Sequence, residues 1–468
     1  MRGMATKPIV RRGAYRNISI KRCRMKVYHH VHPAIIFIEM LLKTILNSVT
    51  APKKHYRKSF QFGKISFEKK GEPDQQIVAE ITPRKNGKAV CSECGRKCPT
   101  YDTAREHRRF EFISLWMIPV YFLYRMRRVT CPEHGVVVEG VPWGDGKCTQ
   151  TVEQRQFLAN WARRLSWSEV AECFGTTWNK VFRAVKWIVG YGLKHRDLDG
   201  VQSLGVDEIQ VRKGQNYATL VYQLDGENKR LLGIEAGRAE ESLEKFFEKF
   251  DEGTEGEEKR SKKIKWVCSD MWKAYLNVIG KTCTNALNIL DRFHVKGHLT
   301  DAVNETRKED VAKLKKEGRQ PVLVKSKYIF LKNPENLTDD QVTKLSELMG
   351  YNLRVVRAYM MKEDFERFWE YKSAYWAGRF LDDWCVRAMR SKIEPVKKFV
   401  KIVRKHRELL MNWFQSHGLS SGAVEGFNNK VKLTMRKGYG FRTFEALETV
   451  LYHALGKLPE PEFAHRFW

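Results

Sequence analysis

The sequence predicts an α+β protein built of several domains, and three observations carry that expectation. The chain has 468 residues, more than one ordinary core encloses, so roughly two to four domains are expected. Strand-like alternation fills residues 59–81 and 203–236, whereas residues 152–194 and 300–415 read as helix. Two short Cys/His knuckles, C-S-E-C-G and C-P-E-H-G, interrupt the first strand-rich stretch.

Composition narrows the class further. A hydrophobic content of 42% with 13 Trp and 25 Phe is that of a globular protein and excludes a disordered one. Lys and Arg exceed Asp and Glu by 85 − 55 = 30, which makes nucleic acid the leading partner class and an anionic membrane surface the weaker one. The longest apolar run, near residues 34–46, is broken by Glu39 and Lys43 and is shorter than the roughly 20 residues of a spanning helix. No membrane segment, cleavable signal or nucleotide cofactor is expected. The ten Cys are scattered, two of them as a C-x-x-C, which suits a reducing compartment and a metal site better than a disulfide framework. The expected location is the cytoplasm, on DNA.

Residues 1–39 hold nine Lys or Arg and one acid. They read either as a disordered basic arm on DNA or as sequence upstream of a natural start at Met40, and the second is favoured. Residues 40–150 form a strand-rich domain. Its knuckles offer Cys91, Cys94, Cys131 and His134, a four-ligand set for tetrahedral Zn2+. Each knuckle ends in Gly, which permits the tight turn around the ligand. The 36 residues between Cys94 and Cys131 are long for a minimal zinc ribbon and imply an extra hairpin. Cys98 and Cys148 read as bystanders.

Residues 151–200 carry a helix-turn-helix pattern. Ser166 and Glu169 form a capping box, with Val170, Ala171 and Phe174 as an apolar face. Gly175 makes the turn. Thr177 caps a second helix with Val181, Val185 and Ile188 inward. Thr176, Thr177, Asn179, Lys180 and Arg183 then lie near the end that would face a DNA groove. Helix pairs of this size also occur as plain structural bundles; the charge excess favours DNA binding.

Residues 201–300 read β-β-β-α-β-α-β-α. The first strand, S-L-G-V-D-E-I-Q-V, carries Asp207 at its middle, and a carboxylate there is costly to bury unless it is paired or binds a metal. The strand Ile264–Cys268 leads to Asp270. Three antiparallel strands followed by parallel ones is the order of an RNase H-like α/β core, in which Asp207 and Asp270 face one another. Residues 301–415 are expected to be a large all-helical insertion with one clear break, Lys332–Thr338. Residues 416–468 return to the core. There Ser420 or Ser421 caps a helix on which Glu425, Asn429, Lys432 and Arg436 share one stripe, suited to a metal and a phosphate backbone, while Val424, Phe427, Val431 and Met435 face the core.

Asp207, Asp270 and Glu425 thus supply three acids, the number that two-metal phosphodiester chemistry needs, with Mg2+ (or Mn2+) as the ions. Glu208, Asp225, Glu235 and Asp291 are also available, so the constellation carries the weight and no acid does so alone. On a strand Asp207 and Glu208 face opposite sides, and only one points into the site.

These stretches together resemble the insertion-sequence DDE transposases of the ISL3 family. The matching motifs are C-S-E-C-G with C-P-E-H-G, the helix pair, L-G-V-D-E, V-C-S-D-M-W-K-A-Y, D-R-F-H-V, L-K-N-P-E-N-L-T, and V-E-G-F-N-N-K-V-K with G-Y-G-F-R, from about Met40 to Leu458. The resemblance implies a zinc ribbon, a helix-turn-helix and an RNase H-like core interrupted by a helical insertion. It implies binding to terminal inverted repeats, DNA cleavage and strand transfer to target DNA. It assigns the catalytic roles to Asp207, Asp270 and Glu425, favouring Asp207 over Glu208, and the zinc roles to Cys91, Cys94, Cys131 and His134. Synapsis of two double-stranded ends requires a homo-oligomer, at least a dimer. Two other readings compete: a DNA-binding regulator derived from a transposase, and an RNase H-like nuclease without strand transfer.

Overall fold

The computed structural model describes residues 40, 41, 43, 44, 59–212, 214, 216–319, 321–416, 422–438 and 440–461. The basic extension 1–39 and the expected cap at Ser420 or Ser421 lie outside the described residues. The chain divides into two compact units, one within residues 1–152 and one within residues 153–462. Among the described residues no helix is long and apolar enough to cross a membrane.

In the first unit the alternating F-Q-F pattern pairs β1 (Phe60–Glu68) with β2 (Gln76–Pro83) as an antiparallel hairpin. The knuckle β3 (Ala89–Val90) and β4 (Lys97–Cys98) follows, then β5 (Thr100–Thr103). The strands β6 (Arg108–Leu115) and β7 (Ile118–Tyr124) form the hairpin that the long knuckle spacing implied. It does not extend the ribbon. Instead β7 runs parallel to β2 and completes a four-stranded sheet, β1-β2-β7-β6. Its core is aromatic: Trp143 meets Phe60 and Tyr124 edge-on, with ring centroids 4.9 and 5.2 Å apart. β8 (Arg127–Cys131) joins β5 and β9 (Gly135–Val138) in a separate three-stranded sheet. The buried Glu139 carboxylate is fully used: it accepts from Tyr124 OH at 2.6 Å, Arg127 N at 2.9 Å and the Arg127 guanidinium at 2.7 and 2.9 Å. Burial on these terms is tolerable because no lone charge is left.

The second unit opens with α1 (Val152–Ala162), α2 (Trp167–Cys173) and α3 (Trp178–His195). The caps are as expected. Ser166 Oγ accepts from Glu169 N at 3.3 Å while the Glu169 carboxylate accepts from Ser166 N at 2.7 Å. Gly175 turns the chain at φ +61° and Thr177 Oγ1 accepts from Lys180 N. Val170, Val181, Val185 and Ile188 are buried.

A five-stranded sheet follows: β10 (Ser203–Arg212), β11 (Asn216–Gln223), β12 (Arg230–Ala236), β13 (Trp266–Ser269) and β14 (Leu287–Leu290), in the order β12-β11-β10-β13-β14. The first three are antiparallel, and β13 and β14 add in parallel. One face packs α4 (Glu240–Asp251) and α5 (Lys273–Thr282) through Phe246, Phe247, Phe250, Tyr275 and Val278. Gly233 must be glycine, since a Cβ there would lie 2.2 Å from the Phe246 ring. The other face receives α13 (Gly422–Lys437) and α14 (Phe444–Leu455), elements separated from the sheet by the helical segment.

The helix expected after β14 runs on without a break past residue 300, so one helix joins the core to that segment. The segment comprises α6 (Arg292–Lys316), α7 (Lys327–Leu331), α8 (Asp339–Met349), α9 (Arg354–Glu366), α10 (Ala374–Arg390), α11 (Glu394–Lys405) and α12 (Arg407–Gln415). The break at Lys332–Thr338 is present, with a short 3-10 turn at Pro334–Asn336, but so are breaks at residues 317–326 and 350–353. A large aromatic core holds the block, including Phe330, Phe365, Phe368, Trp384 and Phe399. Asn412 Nδ2 ties α12 back to the Asn288 carbonyl on β14 at 2.8 Å.

Helix α14 buries His453, whose Nε2 has no hydrogen-bond partner among the described residues. Burial, with Arg163 and Lys437 nearby, lowers its pKa to about 3. In the unfolded chain the imidazole titrates near 6.5. Between those values only the unfolded chain binds the proton, so stability falls as pH drops below about 6.5, by up to about 1.4 kcal/mol per pH unit. His453→Leu is therefore expected to flatten the acid limb of a Tm-against-pH curve. An unchanged limb would place the acid sensitivity elsewhere.

Candidate active site and metal centre

The parallel register sets one row just ahead of three acids. Gly205 pairs with Cys268 and Cys268 with Ile289. Two residues beyond that row come Asp207, still within β10, and Asp270 and Asp291, just past the ends of β13 and β14; among the described residues their carboxylates do not form a group with all ligand atoms within 4.8 Å of one another. Asp291 N donates to the Ser269 carbonyl at 2.8 Å, so the ladder continues to that level. Asp207 and Asp270, expected to face one another, each stand two residues beyond a paired residue, Gly205 and Cys268. Asp291, one of the further available acids, does so beyond Ile289.

Asp207 is buried at 7% exposure, while Glu208 is half-buried on the opposite face. There Glu208 meets Arg238 at 3.5 Å, near the Thr219–Tyr275 hydroxyl pair. Asp207 turns to α13. Its carboxylate accepts from Asn428 Nδ2, and Asn428 Oδ1 accepts from Tyr222 OH at 2.9 Å. Tyr222 in turn stacks on Phe427 at 4.8 Å. Gly205 makes this docking possible, because a Cβ there would sit 2.7 Å from Val424 Cγ2. Glu425 follows Val424 on the helix and lies one turn before Asn428. It is exposed, as are Asn429, Lys432 and Arg436, so these four form the expected outward stripe. Val424, Phe427 and Val431 are buried and Met435 is half-buried.

The electrostatics suit a cation site. Burial pushes the Asp207 carboxyl above its ordinary range; the Glu208 amide, His294 and Asn428 pull it back, and Asp291 adds repulsion. Burial likewise raises Asp270, with Trp272 N and His294 opposing and Asp291 repelling. Glu208 is raised by burial and by Asp270. His294 lowers both the Asp207 and the Asp270 carboxyl, and its buried Nδ1 has no hydrogen-bond partner among the described residues. Desolvated acids that repel one another are a donor set that a hard divalent cation relieves.

The knuckles converge in the first unit. Among the described residues, Cys91, Cys94, Cys131 and His134 are the one group of three or more Cys, His, Asp or Glu whose ligand atoms all lie within 4.8 Å of one another. The Cys94–Cys131 sulfurs are 3.7 Å apart, and His134 Nδ1 stands 3.5 Å from Cys131 Sγ and 3.8 Å from Cys91 Sγ. A tetrahedron with metal–sulfur bonds of about 2.3 Å has S···S edges of about 3.8 Å, so the donors fit such an ion. Gly95 and Gly135 adopt φ +68° and +67°, the left-handed turns that the Gly-tailed pattern called for. Hydrogen bonding from His134 lowers the Cys131 thiol to about 6, towards the thiolate a metal requires. Cys98 stands outside that ligand group, as expected of a bystander to the metal, and is buried in the same small core as Cys91, Cys131 and Val129.

In the helix pair, Thr177, Asn179 and Arg183 are exposed, and Thr176 and Lys180 are half-buried. Trp178, exposed in the same turn, was missed by sequence reasoning. So were Asn428, His294 and Arg238. D-R-F-H and the doubled Asn of F-N-N were visible motifs, but which of their side chains turn to Asp207 depends on how β14 and α13 dock.

Comparison with known proteins agrees with this arrangement. A family described as transposase, the ISL3 group of DDE enzymes, matches residues 204–451, just over half of the chain and the span of the sheet, the helical segment and α13. The chain belongs to the ISL3 transposase family. It is 27% identical over 407 residues to the transposase for insertion sequence element IS1557 of Mycobacterium tuberculosis, covering 82% of this chain and 89% of that protein. It is 26% identical over 364 residues to the transposase for insertion sequence element IS1001 of Bordetella parapertussis, covering 76% and 86%.

Proposed function

We propose that the chain is a DDE transposase that binds the terminal inverted repeats of an insertion sequence, cleaves there and transfers the strand to target DNA. The observation that carries this reading is the docking of α13 on β10, where Asn428 bonds Asp207 and Val424 packs on Gly205, with Glu425 one turn before Asn428. The sheet order is read as an RNase H-like core, α2–α3 as a helix-turn-helix on duplex DNA, and the Cys/His cluster as a structural Zn2+ site.

Asp207, Asp270 and Glu425 would hold two Mg2+ or Mn2+ ions. When bound, such ions activate the attacking oxygen and stabilise the leaving one. The chain's own residues set the stage. Asn428 and the Glu208 amide orient the Asp207 carboxylate from two sides. The stripe of Asn429, Lys432 and Arg436 beside Glu425 holds the phosphate backbone against the site. Thr176, Thr177, Asn179, Lys180 and Arg183 contact the duplex. Synapsis of two ends requires a homo-oligomer, at least a dimer on DNA, and the cytoplasmic nucleoid is the place of action.

The test is incubation of the full chain with labelled element-end DNA and a target plasmid in Mn2+. Nicked ends and joined products are expected from the wild type and neither from Asp207→Ala. Cleavage without joining would turn the reading to a plain nuclease. Binding without either reaction would turn it to a regulator.

A further inference from the structure

Asp207 and Asp270 are held by different means. Asp207 lies inside β10, whereas Asp270 follows the last residue of β13, and the ladders of that strand end at or before Ser269. The Asp270 carboxylate is oriented locally instead: Trp272 N donates to its Oδ1 at 2.9 Å. Asp270 is therefore held as firmly as Trp272 is.

Trp272 is held by Arg238. Its indole Nε1 donates to the Arg238 carbonyl at 3.1 Å, and the guanidinium carbon lies 5.2 Å from the indole ring centroid. Arg238 is in turn built onto the sheet. Gly237, just before it, takes φ +93°; its N donates to the Tyr217 carbonyl at 2.8 Å and its carbonyl accepts from Thr219 Oγ1 at 2.9 Å, both on β11. The guanidinium carbon stands 4.3 Å from the Tyr217 ring centroid, and Nη1 stands 3.5 Å from Glu208 Oε1. Glu208 is the neighbour of Asp207 on β10. A continuous path of contacts thus runs from the strand of the first acid, through Glu208, Arg238 and Trp272, to the second.

Without Arg238 this path would push the second acid away. Glu208 Oε2 is buried with no hydrogen-bond partner among the described residues, and Glu208 and Asp270 repel one another. Arg238 is the cation that offsets this repulsion. Its side chain is 40% exposed, so the ion pair adds little to stability. Its effect lies in where it sets Trp272.

We infer, on the basis of the proposed transposase active site, that Arg238 and Trp272 are positioning residues for Asp270 and that Glu208 anchors Arg238. They hold the Asp270 carboxylate in place through the Trp272 N–H. Outer partners that orient a ligating carboxylate are worth roughly 10–100-fold in metal affinity or activity.

The experiment uses the full chain with labelled element-end DNA in Mn2+. Trp272→Phe keeps a ring and removes the Nε1–H. Arg238→Met keeps the stem and removes the guanidinium, and Arg238→Lys keeps the charge. In Trp272→Phe and Arg238→Met, cleavage at saturating DNA is expected to slow roughly ten- to a hundred-fold. The half-saturating DNA concentration should stay near that of the wild type, as for a group that acts on the reacting centre and not on binding. The Mn2+ concentration that half-raises the melting temperature should move up by a similar factor, with metal-free melting close to that of the wild type. Arg238→Lys should recover part of the loss, and Glu208→Gln, which can still accept from Arg238, should lose less than Arg238→Met. Trp272→Phe and Arg238→Met together should be no slower than the slower single variant, since both act along one path.

Wild-type cleavage and Mn2+ response in Trp272→Phe or Arg238→Met would overturn the inference. So would a raised half-saturating DNA concentration at an unchanged maximal rate, which would make Arg238 a DNA contact, or losses that multiply in the double variant. A Glu208→Gln as inactive as Asp207→Ala would make Glu208 a ligand and not an anchor. A wild type that never cuts would remove the transposase reading, while the Mn2+ midpoints would still decide the positioning. A wild type whose melting ignores Mn2+ would remove both.

Discussion

Asp270→Asn is expected to lose cleavage and joining of element ends by about a thousand-fold or more, while the metal-free protein melts at or above the wild-type temperature. The two effects share one cause. Burial raises the Asp270 carboxyl, and Asp291 adds repulsion. A folded-state pKa above the unfolded one means that protonation favours the fold, so this contribution is present at low pH and is lost as pH rises through the raised value. At neutral pH the ionised Asp270 works against folding. Asparagine removes the charge and can still accept from Trp272 N through its carbonyl. The same change removes a hard oxygen donor from the proposed ion site, and metal stabilisation of charge in phosphoryl transfer is worth several kcal/mol, each 1.4 kcal/mol being ten-fold in rate.

Added Mn2+ should reverse the order of melting, raising the wild type more than the variant. Metal affinity should also weaken as pH falls, because protons compete for the same carboxylates. Thermal melting with and without Mn2+, alongside the cleavage assay, reads all of this. A metal-free Asp270→Asn that melts well below the wild type would make the carboxylate structural. One that cuts normally would remove it from the site.

Cys131→Ser is expected to release the metal of the first unit and open its knuckles, the largest stability effect in that unit. The small core there consists of Ala89, Cys91, Cys98, Val129 and Cys131, too little apolar material to hold itself together. Structural zinc supplies about 10–16 kcal/mol of apparent binding free energy in small peptides, so removing a ligand outweighs anything else in that core. The four-stranded sheet has its own aromatic core around Phe60, Tyr124 and Trp143 and should survive. Limited proteolysis of the variant should therefore cut within residues 89–103 or 127–138 and spare residues 60–83 and 108–124. Cys98→Ser, which leaves three cysteines and His134 in place, should keep the metal. Elemental analysis of protein purified without chelator is the direct measurement. Zinc absent from the wild type would end the assignment.

What could be read in the sequence was what depends on neighbours along the chain. The Ser166–Glu169 capping box and the Thr177 cap are local hydrogen-bond devices within four residues, and both are where the pattern put them. The Gly-tailed knuckles announced left-handed turns, and Gly95 and Gly135 adopt them. Alternation placed β10 to β12 within a residue or two of their observed limits and put Asp207 on a buried face. The stripe of Glu425, Asn429, Lys432 and Arg436 follows from helical period alone, and it is exposed.

Helical period could not say which residue of α13 meets Asp207. Both Asn428 and Asn429 are available, and the choice is made by the close approach of Val424 to Gly205, which sets how the helix lies on the strand. Cys98 looked separate because its role comes from packing against Val129 and Cys131, not from ligand spacing. Asp291 and His294 were in view as the D-R-F-H motif, but that both act electrostatically on Asp207 and Asp270 follows from how β14 and the helix after it lie beside β13 and β10. The sequence by itself determined the kinds of element, their caps and turns, and the acids and thiols on offer, because those follow from backbone preferences and the period of apolar residues. Only the tertiary structure decided that Gly205, Cys268 and Ile289 pair in one row just ahead of Asp207, Asp270 and Asp291, and that Asn428 meets Asp207. Strand register is a pairing between residues far apart in the chain, and no local preference encodes it.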